Sequence, residues 1–359
     1  GTYNGDGVAC SEDLCVQDCV ITCPPDVSVC AGCGQGSATG VDLGRPTVDG
    51  DCDGVVITND SPAEFPIGTT VVTWTATVGN RQTQCQQRVT VKGTICGKKF
   101  FDKNVNGVQN SYEPGINGWR IELRDESGQN LIEKVYTKRE GCDDGRYSFC
   151  VEPGTYTVLE VMPNGDWIAT TPASYTVTVG DGGCDLTRNF GNVCLGDGGG
   201  HTPGFWGNTN GECKMKDGGS ANPELSMLRG LNLRKSDGNH FDPTTYDQFK
   251  SWLRAGNATN MAYMLSIHLA SMALNVEGGY TRSDAVVYAP GCGNRGPGNN
   301  FITISDLMAA ADRAPGDGLG DDGYTPAGDS HRAIQECRKN ALDAANNNRN
   351  FVRSEPCCF

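Results

Sequence analysis

Eighteen cysteines in a chain of 359 residues constrain this fold more than any other feature. They form no C-x-x-C…C-x-x-C pair, and histidine, the usual companion in zinc sites, occurs only four times. Thiols scattered at this density read as a disulfide framework made in an oxidising compartment. Forty-nine glycines put much of the chain into turns and loops, and the length provides for two or three domains. The formal charge is −14, from 29 basic and 43 acidic residues, which argues against nucleic acid and anionic membranes as partners. No run approaches transmembrane length, so no membrane insertion is expected. The chain opens on Gly1, as a processed mature chain would. A secreted, extracellular protein with its signal peptide removed and no anchor of its own is the expectation.

One loop carries a metal signature. Asp102, Asn104, Asn106, Val108, Asn110 and Glu113, with Gly107 between, fit D-x-[DN]-x-[DN]-G-x5-E at every required position. Calcium is a hard cation that takes six to eight oxygens, and alternate residues of a tightly curled loop can all point inward. On that template Asp102, Asn104 and Asn106 give side-chain oxygens and Val108 its carbonyl. Asn110 acts directly or through water, Glu113 closes the site with both oxygens, and Gly107 permits the turn. Upstream lies the strand-like Cys96–Phe101, and downstream Pro114-Gly115 breaks any helix. These flanks predict a calcium clamp between β-strands, which stiffens a module without switching it.

Residues 1–22 form a Cys-rich segment too short for a core. Residues 23–92 alternate with period two in Val55–Ile57, Thr69–Thr77 and Gln87–Val91, with Trp74 as a core anchor and Cys52 and Cys85 placed where a bridge could staple the sheets. Cys23-Pro24-Pro25-Asp26, Phe65-Pro66-Ile67-Gly68 through Trp74 and Ala76, and Cys85 with Val89 and Val91 resemble the hyalin-repeat (HYR) module. That resemblance implies an immunoglobulin-like sandwich used for adhesion or spacing; Cys30 and Cys33 depart from its pattern. Residues 93–194 alternate in Ile116–Leu123, Gly145–Phe149, Gly154–Val158 and Tyr175–Val179. Phe101-Asp102 with Asn104, Asn106 and Gly107, then Glu113-Pro114-Gly115, Tyr147, Phe149 and Pro153-Gly154-Thr155-Tyr156 resemble the SdrD B-like repeat of bacterial surface proteins. The resemblance implies a calcium-binding spacer. Some relatives carry Lys–Asn isopeptide bonds; Lys98 or Lys99 with Asn189 would be the pair here, and the disulfides make such a bond redundant.

Residues 195–200 read as a Gly-rich linker. Over 201–359 the period changes to about 3.6, predicting helices after Asp242-Pro243, over Asn260–Val276, from Ser305 and over 330–346. The opening His201-Thr202-Pro203-Gly204-Phe205-Trp206 resembles that of an uncharacterised bacterial secreted domain. The fold class expected is therefore multidomain: two tandem all-β immunoglobulin-like sandwiches followed by a small disulfide-bonded, mostly α domain.

Nothing here predicts catalysis. The histidines His201, His240, His268 and His331 carry no H-E-x-x-H and no G-x-S-x-G context. His268 reads as a core histidine, and Asp317, Asp321 and Asp322 could line a second calcium loop. Asn59 and Asn257 open sequons that permit glycosylation. Adjacent Cys357 and Cys358 are strained as a mutual pair, so they bond elsewhere: into the helical domain, or to another subunit through Cys10 and Cys15. The expected role is a calcium- and disulfide-stabilised subunit of an extracellular filament or layer, its partners being other copies of itself assembled head to tail. A monomeric adhesin contacting glycans or cell-surface components is the alternative, and a secreted hydrolase the one with least to carry it.

Overall fold

The computed structural model describes residues 18–140, 143–163, 165–180, 187–217, 219–313, 319 and 323–358. The first part holds β1 (Val20–Thr22), β2 (Val27–Cys30), β3 (Ser37–Thr39), β4 (Thr47–Asp49), β5 (Val56–Asn59), β6 (Glu64–Pro66) and β7 (Gly68–Val78). Next come β8 (Arg81–Phe101), β9 (Arg120–Asp125), β10 (Leu131–Tyr136), β11 (Lys138–Glu140) and β12 (Asp143–Val151). The β region ends with β13 (Gly154–Glu160), β14 (Trp167–Ala169), β15 (Ser174–Val179) and β16 (Phe190–Gly196). The rest is mainly helical: α1 (Pro203–Trp206), α2 (Thr209–Lys216), α3 (Asn222–Arg229), α4 (Tyr246–Arg254) and α5 (Met261–Glu277). Strands β17 (Val286–Tyr288) and β18 (Phe301–Thr303), helices α6 (Ile304–Asp312) and α7 (Arg332–Asn346), and β19 (Phe351–Val352) complete it.

Strand β8 joins the two β modules. Its 21 residues pair first with β7, in unbroken register from Val78↔Arg81 to Gly68↔Val91, and with β2 in parallel. Farther along they pair with β12 and, in parallel, with β16. The boundary expected between residues 92 and 93 thus falls inside a single strand. Exposure along β8 alternates where one face meets water and becomes almost continuous burial from Gly93, where both faces are covered. Trp74 is the anchor expected: its indole N–H donates to Gln87 Oε1 at 3.0 Å, and the buried Gln87 donates on to the carbonyls of Pro25 and Leu43. A second sheet, β10-β9-β13-β15, lies opposite, and Trp119, Phe149, Val158, Val177 and Phe190 fill the space between.

Six disulfides link described residues, and they correct two expectations. Cys52 pairs with Cys19 and Cys85 with Cys23, so each ties the entering segment to the first sandwich and the two do not bridge each other. Cys357 pairs with Cys194 of β16 inside the same chain, and that thiol is unavailable to another subunit. Cys30–Cys150 and Cys33–Cys96 fasten the first β module to the second, so both cysteines of the first module find their partners outside it. Cys292–Cys337 staples the helical part, while Cys213 and Cys358 are free and exposed. Cys10 and Cys15 lie outside the described residues.

The Gly-rich stretch before the helices is not slack. Cβ atoms built on Gly198, Gly199 and Gly200 would lie 2.3 Å from the Phe351 ring, 2.1 Å from the Tyr280 carbonyl and 2.7 Å from the Ala345 carbonyl. Asn348 clasps the same segment, accepting from the Gly200 N–H at 2.7 Å and donating to its carbonyl at 2.8 Å. Glycine serves close approach here, where a linker was expected. Three strands were also missed: β19 pairs with β16, and β17 and β18 follow, so the main β sheet continues into the helical part. Around α5, capped by Asn260 and buried on nearly all sides, the other helices pack as the 3.6 period predicts.

The Cys194–Cys357 bond closes a span of 163 residues. Cys357→Ser is expected to cost about 2–5 kcal/mol of stability. Thermal unfolding with intact mass under non-reducing conditions checks this, the bond appearing within one chain.

Candidate functional site

The calcium-pattern loop leaves β8 at Phe101 and is closed at its base by strand-like contacts. The Phe101 N–H donates to the Pro114 carbonyl at 2.9 Å and the Ile116 N–H to the Lys99 carbonyl at 2.8 Å. Within it the candidate ligands converge. Asp102 Oδ1 and Oδ2 accept from the N–H groups of Asn106 and Gly107 at 3.0 and 2.7 Å. Glu113 Oε1 and Oε2 accept from those of Asn104 and Asn110 at 3.2 and 2.9 Å. The carboxamides of Asn104 and Asn106 both meet Asn110 Oδ1, at 2.8 and 3.0 Å. Val108 turns its side chain to solvent, and Gly107 takes the positive φ of +76° that the turn requires.

This set fits calcium. Asp102 and Glu113 are buried carboxylates, and among the described residues neither forms an ion pair with a basic side chain. Carboxamide nitrogen and oxygen exchange by a flip, so the three Asn side chains can turn oxygen inward. No cluster of three or more His, Cys, Asp or Glu occurs among the described residues, so the donors are hard oxygens from carboxylate, carboxamide and main chain. Two carboxylates among these candidate ligands is a low charge count for a calcium loop.

The loop also bears on the helical part. Val105 sits at φ +58° and is buried, an uncommon conformation for a β-branched residue. A Cβ built on Gly296 would lie 3.1 Å from Val105 Cγ1 and 2.8 Å from the Phe301 ring. Phe301 belongs to the β core although its strand lies among the helices. The calcium-pattern loop is therefore part of a joint between the two regions.

Beneath the loop lies a charged group of which the sequence singled out only Lys99 and missed Glu160 and Asn192. Lys99 is fully buried, with Nζ 3.3 Å from Glu160 Oε2, 3.1 Å from the Phe190 carbonyl and 4.3 Å from the Trp119 ring centre, and it also donates to Asn192 Oδ1. Burial lowers the Lys99 ammonium to about 8 against the pull of Glu160 and Asp102, and burial raises the Glu160 carboxyl against that of Lys99. The available signal was Glu160 itself, an acid at an inward position of the apolar strand Tyr156-Thr157-Val158-Leu159-Glu160.

The remaining candidates stay apart or outside. Asn59 and Asn257 are exposed and accept from the N–H two residues on, at 3.1 Å each. Asp317, Asp321 and Asp322 lie outside the described residues. His268 is buried on α5, with Nδ1 3.7 Å from Asp343. His201 stacks on Phe205 at 3.9 Å. Both belong to a structural network centred on Asn275, whose Oδ1 accepts from the His201 N–H and the Trp206 indole and whose Nδ2 donates to Asn346. Asn346 donates to the His268 carbonyl, so the opening motif of this region is locked onto two helices by two buried asparagines.

With the geometry in place, comparison with known proteins concerns the middle of the chain. Residues 93–192 match the SdrD B-like domain. This module is 35% identical over 89 residues to serine-aspartate repeat-containing protein D of Staphylococcus aureus strain Newman, and equally to that of strain MW2. The matched stretch is 24% of this chain and 6% of those relatives, so the chain spans a small part of their length. The Bacillus anthracis TIE protein aligns at 8% identity over 50% of this chain and 34% of its own, with a TM-score of 0.22 that carries no argument. Among the described residues no helix is long and apolar enough to cross a membrane.

Two outcomes are expected. Calcium raises the thermal midpoint of the protein, EDTA lowers it, and Asp102→Ala abolishes the difference, read by calorimetry. Burial holds the His268 imidazole at about 4, opposed by Asp343 and aided by Lys339. The folded value lies below the unfolded one, about 6.5, so stability is full above that pH and falls as pH drops toward 4. The loss is about 2–3 kcal/mol, and His268→Gln flattens that window in denaturant titrations.

Proposed function

We propose that this chain is a non-enzymatic extracellular structural protein, a calcium- and disulfide-stabilised subunit of a cell-surface filament or layer that assembles head to tail. The observation that carries this reading is the continuity of β8 through both β modules, with Cys30–Cys150 and Cys33–Cys96 fastening the same junction. A junction held by one continuous strand and two disulfides suits a stiff spacer. The similarity of residues 93–192 to a domain of serine-aspartate repeat proteins supports an extracellular setting. The HYR resemblance of the first module and the TPGFW-type opening of the helical part are consistent with it.

Contacts between copies have two sources. Strand β10 is an outer strand of its sheet and exposes Leu131, Ile132 and Tyr136, and β5 exposes Val56 and Ile57 at the edge of the first sandwich. Exposed apolar edges invite strand addition. Of the cysteines considered for intersubunit bonds, Cys358 is free and exposed. Asn59 and Asn257 supply glycan sites on the outer surface.

Electron microscopy of the native secreted material tests the assembly. Regular filaments or sheets with a single-subunit repeat are expected, shortened in EDTA and loosened by Cys358→Ser. Single particles under every condition would leave a monomeric adhesin that contacts glycans or cell-surface components.

A further inference from the structure

The first β module carries an outward face that its own folding does not account for. Strands β7 and β8 pair antiparallel, and every second pair points away from the core. Thr77↔Gln82, Thr75↔Gln84 and Thr73↔Gln86 form three such rungs, followed by Val71↔Arg88 and Thr69↔Thr90. The residues between them, such as Trp74 and Val89, are buried, while the three glutamines and Arg88 are exposed. Rungs two residues apart stand about 6.8 Å from one another, so the row is about 27 Å long. Threonine is a good strand former and needs no further reason. Three glutamines at successive outward positions do need one, because solvated surfaces ordinarily carry charge. This chain has 43 acidic residues and a formal charge of −14, yet among the described residues no carboxylate stands in any of the five rungs. At the margins, Asp26 and Asp60 accept from the main-chain N–H groups of Arg88 and Thr73 at 2.8 and 2.7 Å.

The row is ordered before anything meets it. Gln82 Nε2 donates to Thr77 Oγ1 at 3.3 Å and Gln84 Nε2 to Thr75 Oγ1 at 3.1 Å, and the Thr69 and Thr90 hydroxyls lie 3.1 Å apart. Each of these carboxamides keeps its oxygen and a second N–H, and Thr75 and Thr77 keep their O–H groups to donate. Strand β5 sets Thr58 beside Thr75, and β2 sets Ser28 beside Thr90, which widens the row with further hydroxyls. Over Trp74–Thr77 the main chain of β7 is paired on both sides, so a strand does not add there.

From this arrangement we infer that the Thr/Gln row binds a linear, neutral polysaccharide laid along β7 and β8. Sugar hydroxyls donate and accept at once, as threonine and glutamine do, so each rung can answer them in either sense. A neutral chain meets no unpaired charge on this face. An anionic chain would approach a protein of charge −14 with one guanidinium in the row to receive it, and an apolar partner would find Val71 alone. The regular spacing of the rungs suits a polymer and gives a single sugar no pocket. Among the described residues no aromatic ring stands in the row, so stacking does not hold the ligand. Affinity therefore comes from several sugars engaging successive rungs whose side chains are already placed. The inference rests on neither calcium binding nor polymer formation.

The test is affinity electrophoresis of the full-length protein through native gels containing hydroxyethylcellulose, galactomannan or mixed-linkage β-glucan, with alginate as the anionic comparison. Retardation by at least one neutral polymer is expected, unchanged when glucose is added at the same sugar concentration. The combined variant Gln82→Ala, Gln84→Ala, Gln86→Ala is expected to bind at least about tenfold more weakly while keeping its circular dichroism. Should it fail to fold, Gln84→Glu, nearly the same shape with a charge added, decides by the same loss. No retardation by any neutral polymer would overturn the proposal, and so would wild-type retardation in the folded variants. Competition by glucose would mean a single-sugar pocket, and stronger retardation by alginate would mean recognition of charge; either result sinks the reading. Sedimentation of the wild type without polysaccharide closes the remaining route. A doubled mass that the glutamine variant abolishes would assign the row to a second copy and overturn the polysaccharide.

Discussion

Everything in this molecule hangs on the pairing of β8 with its neighbours. A strand of 21 residues is far longer than a sandwich needs, and its length is what fuses two modules into one body. Its sequence changes character along the way. Arg81 to Lys92 alternates between exposed and covered positions, and Gly93 to Phe101 loses the polar face because a second layer covers it. Gly97 marks the tightest point, since a Cβ there would sit 1.6 Å from the Arg188 carbonyl. The same strand delivers Lys99 to the core and Asp102 to the loop three residues later, so the metal candidate and the buried amine share one rigid support.

Local chemistry was legible in the sequence, and long-range pairing was not. The loop from Asp102 to Glu113, the strand runs, the anchor Trp74 and helices α4 to α7 follow from spacing and period, which are properties of near neighbours. The disulfide partners depend on which strands meet. Cys30 and Cys33 looked surplus to one module because their partners, Cys150 and Cys96, lie in the next. Cys357 was expected to bond into the helical domain or to another subunit, and β19 beside β16 brings it to Cys194 instead. The Gly-rich stretch at 195–200 misled for a different reason. Composition cannot tell glycine used for freedom from glycine used for contact, and here Phe351, Tyr280 and Ala345 leave no room for a side chain.

Asparagine does more of the assembly than its polarity suggests. Asn260 caps α5 and reaches the Gly323 carbonyl, Asn275 and Asn346 lock the opening motif to α5 and α7, and Asn348 holds the glycines. Each is a carboxamide that can donate and accept at once, which lets one side chain satisfy main-chain groups on two elements. A helical region that packs against a β body presents many such loop ends, and buried main-chain polar groups must be paired. In the loop from Asp102 to Glu113 the same residue type pairs with its neighbours: Asn104 and Asn106 accept from the N–H two residues on, and both donate to Asn110.

The joint at Val105 connects these observations. A β-branched residue at positive φ costs on the order of 1–3 kcal/mol and persists only where its surroundings over-determine it. Two supports hold it here: the loop hydrogen bonds that end on Asp102 and Glu113, and the Phe301–Gly296 surface of the helical part. Either weakens the other if lost. Weakening the hydrogen bonds that Asp102 and Glu113 accept would loosen the loop and with it the seat of Val105 on Phe301. The disulfide at Cys194–Cys357 and the β16–β19 pairing keep the helical part attached when that happens. Attachment is therefore covalent, while the fit between the two regions is conditional on how well the loop is held.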